Sequence, residues 1–571
     1  MEERPVVPPA AAAEPRYAPA PPDRAHPPTP TDAAMLRSVP ETRPHFAWGV
    51  VATIAAVTLL AHIATNAAGP YGFHRDEFLY MAMGERLRLW RMDFPPGIAL
   101  VSRATRALLG DSLVAIRMVP ALAGAALVVL AALLAREFGG RRFAQTLAAI
   151  AVLASPLFLR PGNLFQPVIL DQLTWTLGLY ALAKLGSAGF PDRWYGGARW
   201  WIALGVAGGI GLLVKFSILF FGVGVLVALL ATARGRRSLG TRWPWLAAAI
   251  ALALGSPSLV GQVRLDWPLL EYSRALQQTQ LQHVAVTDFL TGQLLLGPAV
   301  LLALAGLVSL LRSPKERAFR EVAWACLGAF VVLLLLHGKA YYIGPIYPTL
   351  FAAGAAWLER RTARHVAPIG NPPRYDSAPL GMARIVAVAF VVGYGLLTLP
   401  FGLPVLPPVE MARYARAMGV KSAVTTNVGV VQRLPQDYAD MLGWEQRVAA
   451  VARVFHALPP EDQARAVIIT SNYGEAGAID FYGPRYGLPR AIATEGTYWY
   501  FGPGDKPGEV AVALDDDREG LDHFFGSVTP MLRLSNDWTV PEEQRLTIYV
   551  CRKPRTTLQQ AWPGLAVERS S

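Results

Sequence analysis

Charged residues are scarce in this sequence. They make up 16% of its 571 residues, whereas hydrophobic residues make up 53%. A soluble globular protein normally carries about 25% charged residues, so the shortage argues against a purely soluble chain and indicates that much of it lies in lipid. The net charge of +12 sits largely in short loops between apolar runs. That placement is typical of membrane topology and not of nucleic-acid binding.

Cysteine is scarcer still. The two cysteines are Cys326, inside an apolar run, and Cys551, near the end of the sequence. One of them lies at membrane depth, so a structural disulfide is not expected. The sequence also lacks the spacing of a Ser-His-Asp triad, a phosphate-binding loop and a cysteine metal cluster. These absences exclude several common catalytic and metal-binding motifs.

Apolar segments follow one another and predict about eleven transmembrane helices. They lie near residues 46–66, 112–135, 143–159, 171–186, 200–214, 217–233, 244–260, 291–311, 321–337, 342–358 and 382–400. Three regions result: a Pro/Ala-rich tail at 1–44, a transmembrane domain at 45–402 and a soluble domain at 403–571. The tail is predicted to be disordered. It does not have the pattern of a signal peptide.

Basic loops define the predicted orientation. The loops AREFGGRRF, ATARGRRSLGTRW, LRSPKERAFR and ERRTARH are strongly basic and fall on one side if every segment spans once. The positive-inside rule places these loops and the N-terminus in the cytoplasm. Eleven spans then place the C-terminal domain on the periplasmic or extracellular side of a plasma (inner) membrane. The weaker segment Ile98–Leu109 is predicted to lie along the interface.

The composition changes after Pro400, where FGLPVLPPVE is typical of a linker. AVIITSNYG predicts a buried strand that ends in a turn, and RLTIYVCRK alternates as a strand does. Between the linker and these strands, QDYADMLGWEQRVAAVARVFHAL has helical spacing. The sequence therefore predicts a small C-terminal α/β or α+β domain after an α-helical polytopic membrane domain.

Unusual polar residues gather at the predicted outer face. The first outer loop contains GPYGFHRDEFLY, and GNLFQPVILDQLTW, LLVKFSILFF and HGKAYYIGPIYP reach the same level. The candidate site residues are His74, Arg75, Asp76, Glu77, Tyr80, Asp171, Lys215, Lys339, Tyr341 and Tyr342. Taken singly, each has an ordinary interpretation: solvated loop charge for the acidic pair, a helix N-cap for Asp171, snorkelling for the lysines and an aromatic belt for the tyrosines.

Taken together, these groups predict a transferase site. Ionisable groups at membrane depth are costly and usually face a cavity or a partner. Lysine and tyrosine side chains suit the phosphate of an anionic lipid substrate. A carboxylate nearby suits the removal of a proton from a second substrate, with the lysines stabilising the leaving group.

At these residues the sequence resembles glycosyltransferase family 39, which includes protein O-mannosyltransferases and bacterial aminoarabinose transferases. The resemblance rests on YGFHRDEFLY, DFPPG, QPVILDQLTW, GLLVKFS and GKAYYIGPIYP in that order, and covers most of residues 70–360. It implies the GT-C fold and a polyprenyl-phosphate-linked sugar as donor. The loop at 262–290 is too short for the β-trefoil insertion of the protein O-mannosyltransferases, so neither a protein nor lipid A is established as the acceptor.

The resemblance also implies roles for the residues. Asp76 or Glu77 would be the base for the acceptor hydroxyl, and Asp171 a second acid that orders the site. The groups implied in substrate binding are Lys215, Lys339, Tyr341 and Tyr342 for the lipid phosphate, with His74, Arg75 and Tyr80 beside the acidic pair. The implied reaction is a single inverting displacement in which polyprenyl phosphate leaves.

Other functions remain open at this stage. A flippase for a lipid-linked sugar would favour internal repeats and polar groups near the midplane, and neither is clear. A non-catalytic scaffold leaves the polar constellation unexplained. No cofactor is expected with certainty, and a divalent cation at His74, Asp76, Glu77 and Asp171 is the less favoured alternative. The aromatic-rich set of the C-terminal domain suits core packing more than sugar binding; it comprises Tyr473, Glu475, Tyr482, Tyr498, Trp499 and Tyr500.

Overall fold

The computed structural model describes residues 44–188, 194–279, 281, 285–363, 378–419, 424–426, 429–515 and 517–565. The predicted tail at 1–44 lies outside the described residues, apart from Pro44. Within them, a series of helices that ends at Gly402 is followed by a region of mixed helices and strands.

Helices α1 to α17 form the first part of the chain. Their bounds are α1 Trp48–Ala68, α2 Arg75–Glu85, α3 Gly97–Leu109, α4 Leu113–Glu137, α5 Arg142–Leu153, α6 Pro156–Gly162, α7 Pro167–Ala188, α8 Trp194–Val214, α9 Ile218–Ala231, α10 Ala233–Leu239, α11 Arg242–Arg264, α12 Pro268–Thr279, α13 Val286–Gly292, α14 Ala299–Arg312, α15 Arg320–Leu335, α16 Tyr347–Arg361 and α17 Ala378–Gly402. Short 3₁₀-helices cover Gln293–Leu296, Pro314–Phe319 and Ala340–Ile346.

Several of these helices can cross a bilayer. By length and composition, 6 helices in the described ranges qualify, or up to 9 if three bent pairs each form one span. The pairs are α5 with α6, α9 with α10, and Val286–Leu296 with α14, and they bend by 62°, 107° and 106°. The number of eleven spans stays a prediction, since the segments at α7 and α16 lie outside this set.

The surface of the helical region fits a lipid environment. Helix α1 has 21 residues, which corresponds to about 31 Å and matches a hydrocarbon core of about 30 Å. Leu60, Leu301 and Leu396 keep 62%, 67% and 67% of their surface exposed. Large apolar side chains exposed along successive helices are stable where the surroundings are themselves apolar. The chain therefore has the character of a polytopic membrane protein.

The C-terminal region combines helices with one sheet. Its elements are α18 Pro408–Met418, α19 Gln436–Ala439, α20 Trp444–His456, α21 Pro460–Arg465, β1 Val467–Thr470, α22 Tyr473–Tyr482, β2 Ala491–Ile492, α23 Thr497–Phe501, β3 Val510–Asp515, α24 Arg518–Phe524, β4 Phe525–Ser535, β5 Arg545–Pro554 and α25 Leu558–Ala561. Short 3₁₀-helices lie at Gly483–Tyr486 and Pro541–Glu543.

The sheet has five strands in the order β2-β1-β3-β5-β4. Strand β1 pairs in parallel with β2 and β3, whereas β5 is antiparallel to β3 and β4. Ile468 lies opposite Val512, which lies opposite Val550, and all three are buried. Both segments that the sequence predicts to be strands are therefore strands, and the turn after β1 leads directly into α22.

One hydrophobic core joins this sheet to α2, the helix that follows α1. Phe78 and Met81 of α2 belong to the same buried cluster as Ile468 and Val512 of the sheet. The ring of Phe78 packs edge-on against Trp444 at a centroid distance of 5.6 Å. The predicted domain boundary at 402/403 rests on the change in composition of the chain. Helix α2 lies before that boundary, and it packs with the C-terminal region.

Candidate active site

The site begins at the N-terminus of α2, which His74 caps. His74 Nδ1 accepts a hydrogen bond from the Asp76 backbone N–H at 3.1 Å, and the His74 N–H donates to Glu77 Oε2 at 2.7 Å. This reciprocal arrangement satisfies two backbone donors that a helix start leaves without partners. The cap places Asp76 and Glu77 in the first helical turn, where they point in different directions.

Glu77 is fully buried and its oxygens are fully used. Oε1 accepts from Arg117 Nε at 2.8 Å and from the Phe165 N–H at 2.7 Å. Oε2 accepts from Arg117 Nη2 at 2.8 Å and from the His74 N–H. Burial alone would raise the pKa of Glu77, but the Arg117 charge and these donors lower it below its ordinary value. A carboxylate held in this way is a structural anchor and a poor proton acceptor.

Asp76 is only half-buried, and it is held by two donors from distant parts of the chain. Tyr473 Oη donates to Asp76 Oδ1 at 2.9 Å, and Gln166 Nε2 donates to Asp76 Oδ2 at 3.0 Å. Each carboxylate oxygen has a second lone pair. Of the predicted acidic pair, Asp76 therefore keeps the capacity to accept a proton.

Arg75 and His74 connect this turn to acidic residues of the C-terminal region. Arg75 Nη1 donates to Glu542 Oε1 at 3.0 Å, and its Nε lies 3.7 Å from Asp440 Oδ1. His74 Nε2 lies 3.7 Å from Asp440 Oδ2 and 3.9 Å from Asp437 Oδ1. Burial raises the pKa of Asp440 to about 6, although Arg75 and His74 oppose the shift. His74 thus organises the turn through its hydrogen bonds, and Arg75 does so through its charge.

A second group of predicted residues lies around Lys215, just beyond the end of α8. Lys215 Nζ is 5.2 Å from the centroid of the Tyr342 ring, and Tyr342 packs edge-on against Tyr341 at 4.7 Å. Asp171 and Lys339 lie within electrostatic range of Lys215. Five of the predicted residues are therefore brought together here, from three separate segments of the chain.

Asp171 is not a helix N-cap, and that alternative is wrong. Helix α7 begins at Pro167, so Asp171 lies one turn inside the helix. It is buried, and its Oδ1 accepts a hydrogen bond from Trp175 Nε1 at 3.0 Å. The sequence placed the start of this helix four residues too late, because an aspartate after an apolar stretch is also typical of a cap.

Tyr272 links the two groups. It lies on α12, within electrostatic range of Asp76, Tyr342 and Glu495. Tyr80 is buried against Phe94 and also lies within range of Asp76. The sequence predicted Tyr80 and Tyr342 to be in the site, whereas it did not predict Tyr272.

Sequence reasoning missed Arg117, Gln166 and Tyr272. Arg117 had a usable signal, since an arginine inside the apolar run LVAIRMVPAL needs a buried partner. Gln166 and Tyr272 had none, because a glutamine in a loop and a tyrosine on an amphipathic helix are ordinary. Of the aromatic-rich set, Tyr473 contacts Asp76, whereas Tyr482 packs in the core and Tyr498 Oη donates to Asp480.

Glu495, a partly buried acid beside the site, should make the stability of the fold depend on pH. Glu495 Oε2 accepts the Tyr473 backbone N–H at 3.1 Å, and burial raises the pKa of Glu495 from 4.5 to about 7, with Arg75 opposing the shift. Between these two values the folded state binds the proton more tightly than the unfolded state does. Stability from this group is therefore present at low pH and is lost as the pH rises from about 4.5 to about 7.

We expect Glu495→Gln to flatten the decline of the thermal midpoint between pH 4.5 and 7. Asp440 and Asp93, whose pKa values burial raises to about 6, contribute declines of the same sign, so the difference between wild type and variant isolates Glu495. The measurement is thermal unfolding in detergent across this pH range. Glu461→Gln, at an exposed position, is the matched control. Parallel curves for wild type and Glu495→Gln would contradict the assignment.

The described ranges contain no group of three or more His, Cys, Asp or Glu side chains that could hold a metal ion. At Glu77 the reason is visible, because all of its acceptor positions are occupied by Arg117 and backbone N–H groups. His74 lies near Asp437 and Asp440, and Asp171 lies with Lys215. The four residues suggested for a divalent cation are thus divided between different partners.

Known proteins share this sequence pattern and this fold. The model of the dolichyl-phosphate-mannose-protein mannosyltransferase family matches residues 93–260. The crystal structure of ArnT from Cupriavidus metallidurans bound to undecaprenyl phosphate has a TM-score of 0.54 and 16% identity, covering 88% of this chain and 98% of ArnT. Its apo state has a TM-score of 0.56 and 17% identity, with the same coverage.

A solved structure of lower sequence identity has a similar fold. The oligosaccharyltransferase AglB from Archaeoglobus fulgidus, in complex with an inhibitory peptide and a dolichol-phosphate, has a TM-score of 0.50 and 12% identity, covering 82% of this chain and 69% of AglB. No curated protein matches the chain. The chain therefore shares the fold of ArnT and AglB, the GT-C fold. Its resemblance to glycosyltransferase family 39, predicted from the sequence, is confirmed.

Proposed function

We propose that this protein is a membrane glycosyltransferase that moves a sugar from a polyprenyl-phosphate donor to an acceptor hydroxyl. One observation carries the proposal: Tyr272 lies within electrostatic range of both the half-buried carboxylate of Asp76 and Tyr342, whose ring lies beside Lys215. A base and a cationic phosphate site side by side are what such a transfer requires. The GT-C fold supports the same conclusion.

The donor class follows from the chemistry of the lysine cluster. Lys215 and Lys339 lie close enough to repel each other, and an anion bound between them removes that cost. Tyr341, with 40% of its surface exposed, and Tyr342 add hydroxyl donors. ArnT was solved with undecaprenyl phosphate and AglB with a dolichol-phosphate, which supports a polyprenyl phosphate as the group held here.

The reaction is a single displacement at the anomeric carbon. Asp76 accepts the proton of the acceptor hydroxyl while the acceptor oxygen forms a bond to that carbon. The bond between the carbon and the phosphate oxygen breaks, and polyprenyl phosphate leaves with the bonding electrons. The single displacement inverts the configuration of the anomeric carbon. Lys215 and Lys339 stabilise the charge of the leaving phosphate, so no general acid is required.

The proposal places this chemistry on the extracytoplasmic face of a bacterial inner membrane. Asp76 contacts the C-terminal region, so the carboxylate and that region share one side of the membrane. The basic loops at the opposite ends of the helices support a cytoplasmic position for that other side. The C-terminal region at 403–571 and the N-terminus would then lie on opposite sides of the membrane.

Lys339→Ala is expected to raise the KM for the donor by roughly 10- to 100-fold, the usual effect of losing a hydrogen bond to a charged group. The protein would be assayed in nanodiscs for release of free undecaprenyl phosphate from a panel of undecaprenyl-phosphate sugars. Assays with and without EDTA distinguish this mechanism from a metal-dependent one.

Lys315→Ala is the control, because Lys315 is an exposed lysine in the 3₁₀-helix between α14 and α15. It should leave the KM for the donor unchanged. A wild-type protein that binds the donors but releases undecaprenyl phosphate from none of them, with any acceptor, contradicts the proposal. Movement of an intact donor across the bilayer would instead identify a flippase.

A further inference from the structure

We infer that Tyr473 is a positioning residue for the base, so that the C-terminal region completes the active site. The inference rests on the proposed function and extends it. Tyr473 is the residue of α22 whose hydroxyl donates to Asp76 Oδ1, while Gln166 from the helical region holds Oδ2. The carboxylate that faces the substrates therefore accepts one hydrogen bond from the helical region and one from the C-terminal region.

Hydrogen bonds restrain the turn that carries Tyr473. Asn472 Oδ1 accepts the N–H groups of Gly474 and Glu475 at 2.9 and 3.0 Å, which caps α22. Asn472 Nδ2 donates to Glu543 Oε1 at 2.9 Å. The Tyr473 N–H is taken by Glu495. Side chain and backbone bonds therefore fix both ends of the turn, and the phenol extends from it toward Asp76.

Helix α22 also approaches α2 more closely than most side chains permit. A Cβ atom at Gly477 would lie 2.6 Å from Phe78 Cβ and 3.0 Å from the Phe78 carbonyl carbon. A Cβ atom at Gly474 would lie 2.2 Å from Arg75 Cγ. These two glycines, three positions apart, lie on the face of α22 that meets α2. The short distance between the helices brings the Tyr473 hydroxyl within reach of Asp76.

The expected function of this bond follows from the freedom of a carboxylate. The terminal torsion of an aspartate is broad, so a side chain without a partner samples many orientations. With Oδ1 and Oδ2 both held, one lone pair of each oxygen stays directed at the open side. Loss of the Tyr473 hydroxyl should reduce the fraction of correctly oriented Asp76 without touching the lysine cluster that holds the donor.

The test compares two variants that each remove a tyrosine hydroxyl from a carboxylate of the C-terminal interface. Tyr473→Phe removes the partner of Asp76, and Tyr498→Phe removes the partner of Asp480. Both would be measured in full-length protein in nanodiscs, using undecaprenyl-phosphate sugars. We expect Tyr473→Phe to lower kcat roughly 10- to 100-fold with the KM for the donor unchanged. Tyr498→Phe should keep the wild-type kcat.

Each outcome separates this inference from the proposed function. If kcat is unchanged in Tyr473→Phe but falls in Asp76→Asn, positioning by Tyr473 is refuted and the transferase stands. If both phenylalanine variants lose kcat in proportion to their thermal midpoints, the effect is structural and the inference also fails. If the wild type binds the donors but turns none of them over with any acceptor, the proposed function fails. A double-mutant cycle of Tyr473→Phe with Asp76→Asn on thermal midpoints then decides the contact: additive effects refute it, and coupled effects support it.

Discussion

Asp76→Asn is expected to lower kcat by roughly 10²- to 10⁴-fold, the usual contribution of a general base, while the KM for the donor stays within a few-fold of wild type. An asparagine at this position keeps an oxygen for the Tyr473 hydroxyl but cannot accept the proton of the acceptor. The fold should survive, because Asp76 is half-buried and neither of its two partners carries a charge. Initial rates of undecaprenyl phosphate release, together with a thermal midpoint, measure the two effects separately.

The control is Asp505→Asn, the same chemical change at an exposed position of the C-terminal region. It should retain wild-type kcat. An Asp76→Asn variant that folds normally and releases undecaprenyl phosphate at the wild-type rate would remove Asp76 from the mechanism. The search for the base would then turn to Asp171, which lies against Lys215.

Glu77→Gln is expected to lower the free energy of unfolding by about 3–5 kcal/mol, the usual cost of leaving one member of a buried ion pair without its partner. Arg117, with 1% of its side chain exposed, would keep its charge but lose its counter-charge. The amide would also have to replace an acceptor that takes two hydrogen bonds at each oxygen. The expected result is a large loss of folded protein and of thermal midpoint in detergent.

A second variant distinguishes this structural role from catalysis. Replacing both members of the pair, Glu77→Gln with Arg117→Met, should recover part of the lost stability, because the buried charge is then removed. A Glu77→Gln variant with a wild-type thermal midpoint but without turnover would reverse the assignment. Glu77 would then be the base and Asp76 the supporting residue.

Much of the fold could be predicted from local patterns. Apolar runs long enough to span a bilayer mark α1, α4 and α11, because lipid demands the same hydrophobic character along the whole segment. Alternation in the sequence likewise marks β5, and the apolar run at 466–470 marks β1. The first residue of α7 could not be predicted, because the sequence pattern around an aspartate in the first turns of a helix is the same as around an aspartate at the N-cap.

The candidate site was predictable as a set of residues but not as a set of roles. Lysines and acids at membrane depth are costly, so their presence alone indicates a site, and the structure gathers Asp171, Lys215 and Tyr342. Adjacent in sequence and alike in chemistry, Asp76 and Glu77 could not be told apart.

By itself, the sequence determined the membrane character, the two strands marked by their patterns, and the resemblance to glycosyltransferase family 39, because each depends on short-range composition or spacing. Only the tertiary structure distinguished the half-buried carboxylate of Asp76 from the buried, ion-paired carboxylate of Glu77. Glu77 is neutralised by Arg117, 40 positions along the chain, and Asp76 is held by Gln166 and Tyr473, 90 and 397 positions away. Burial and hydrogen bonding depend on such distant partners, and they set the chemistry of two residues that local sequence makes nearly equivalent.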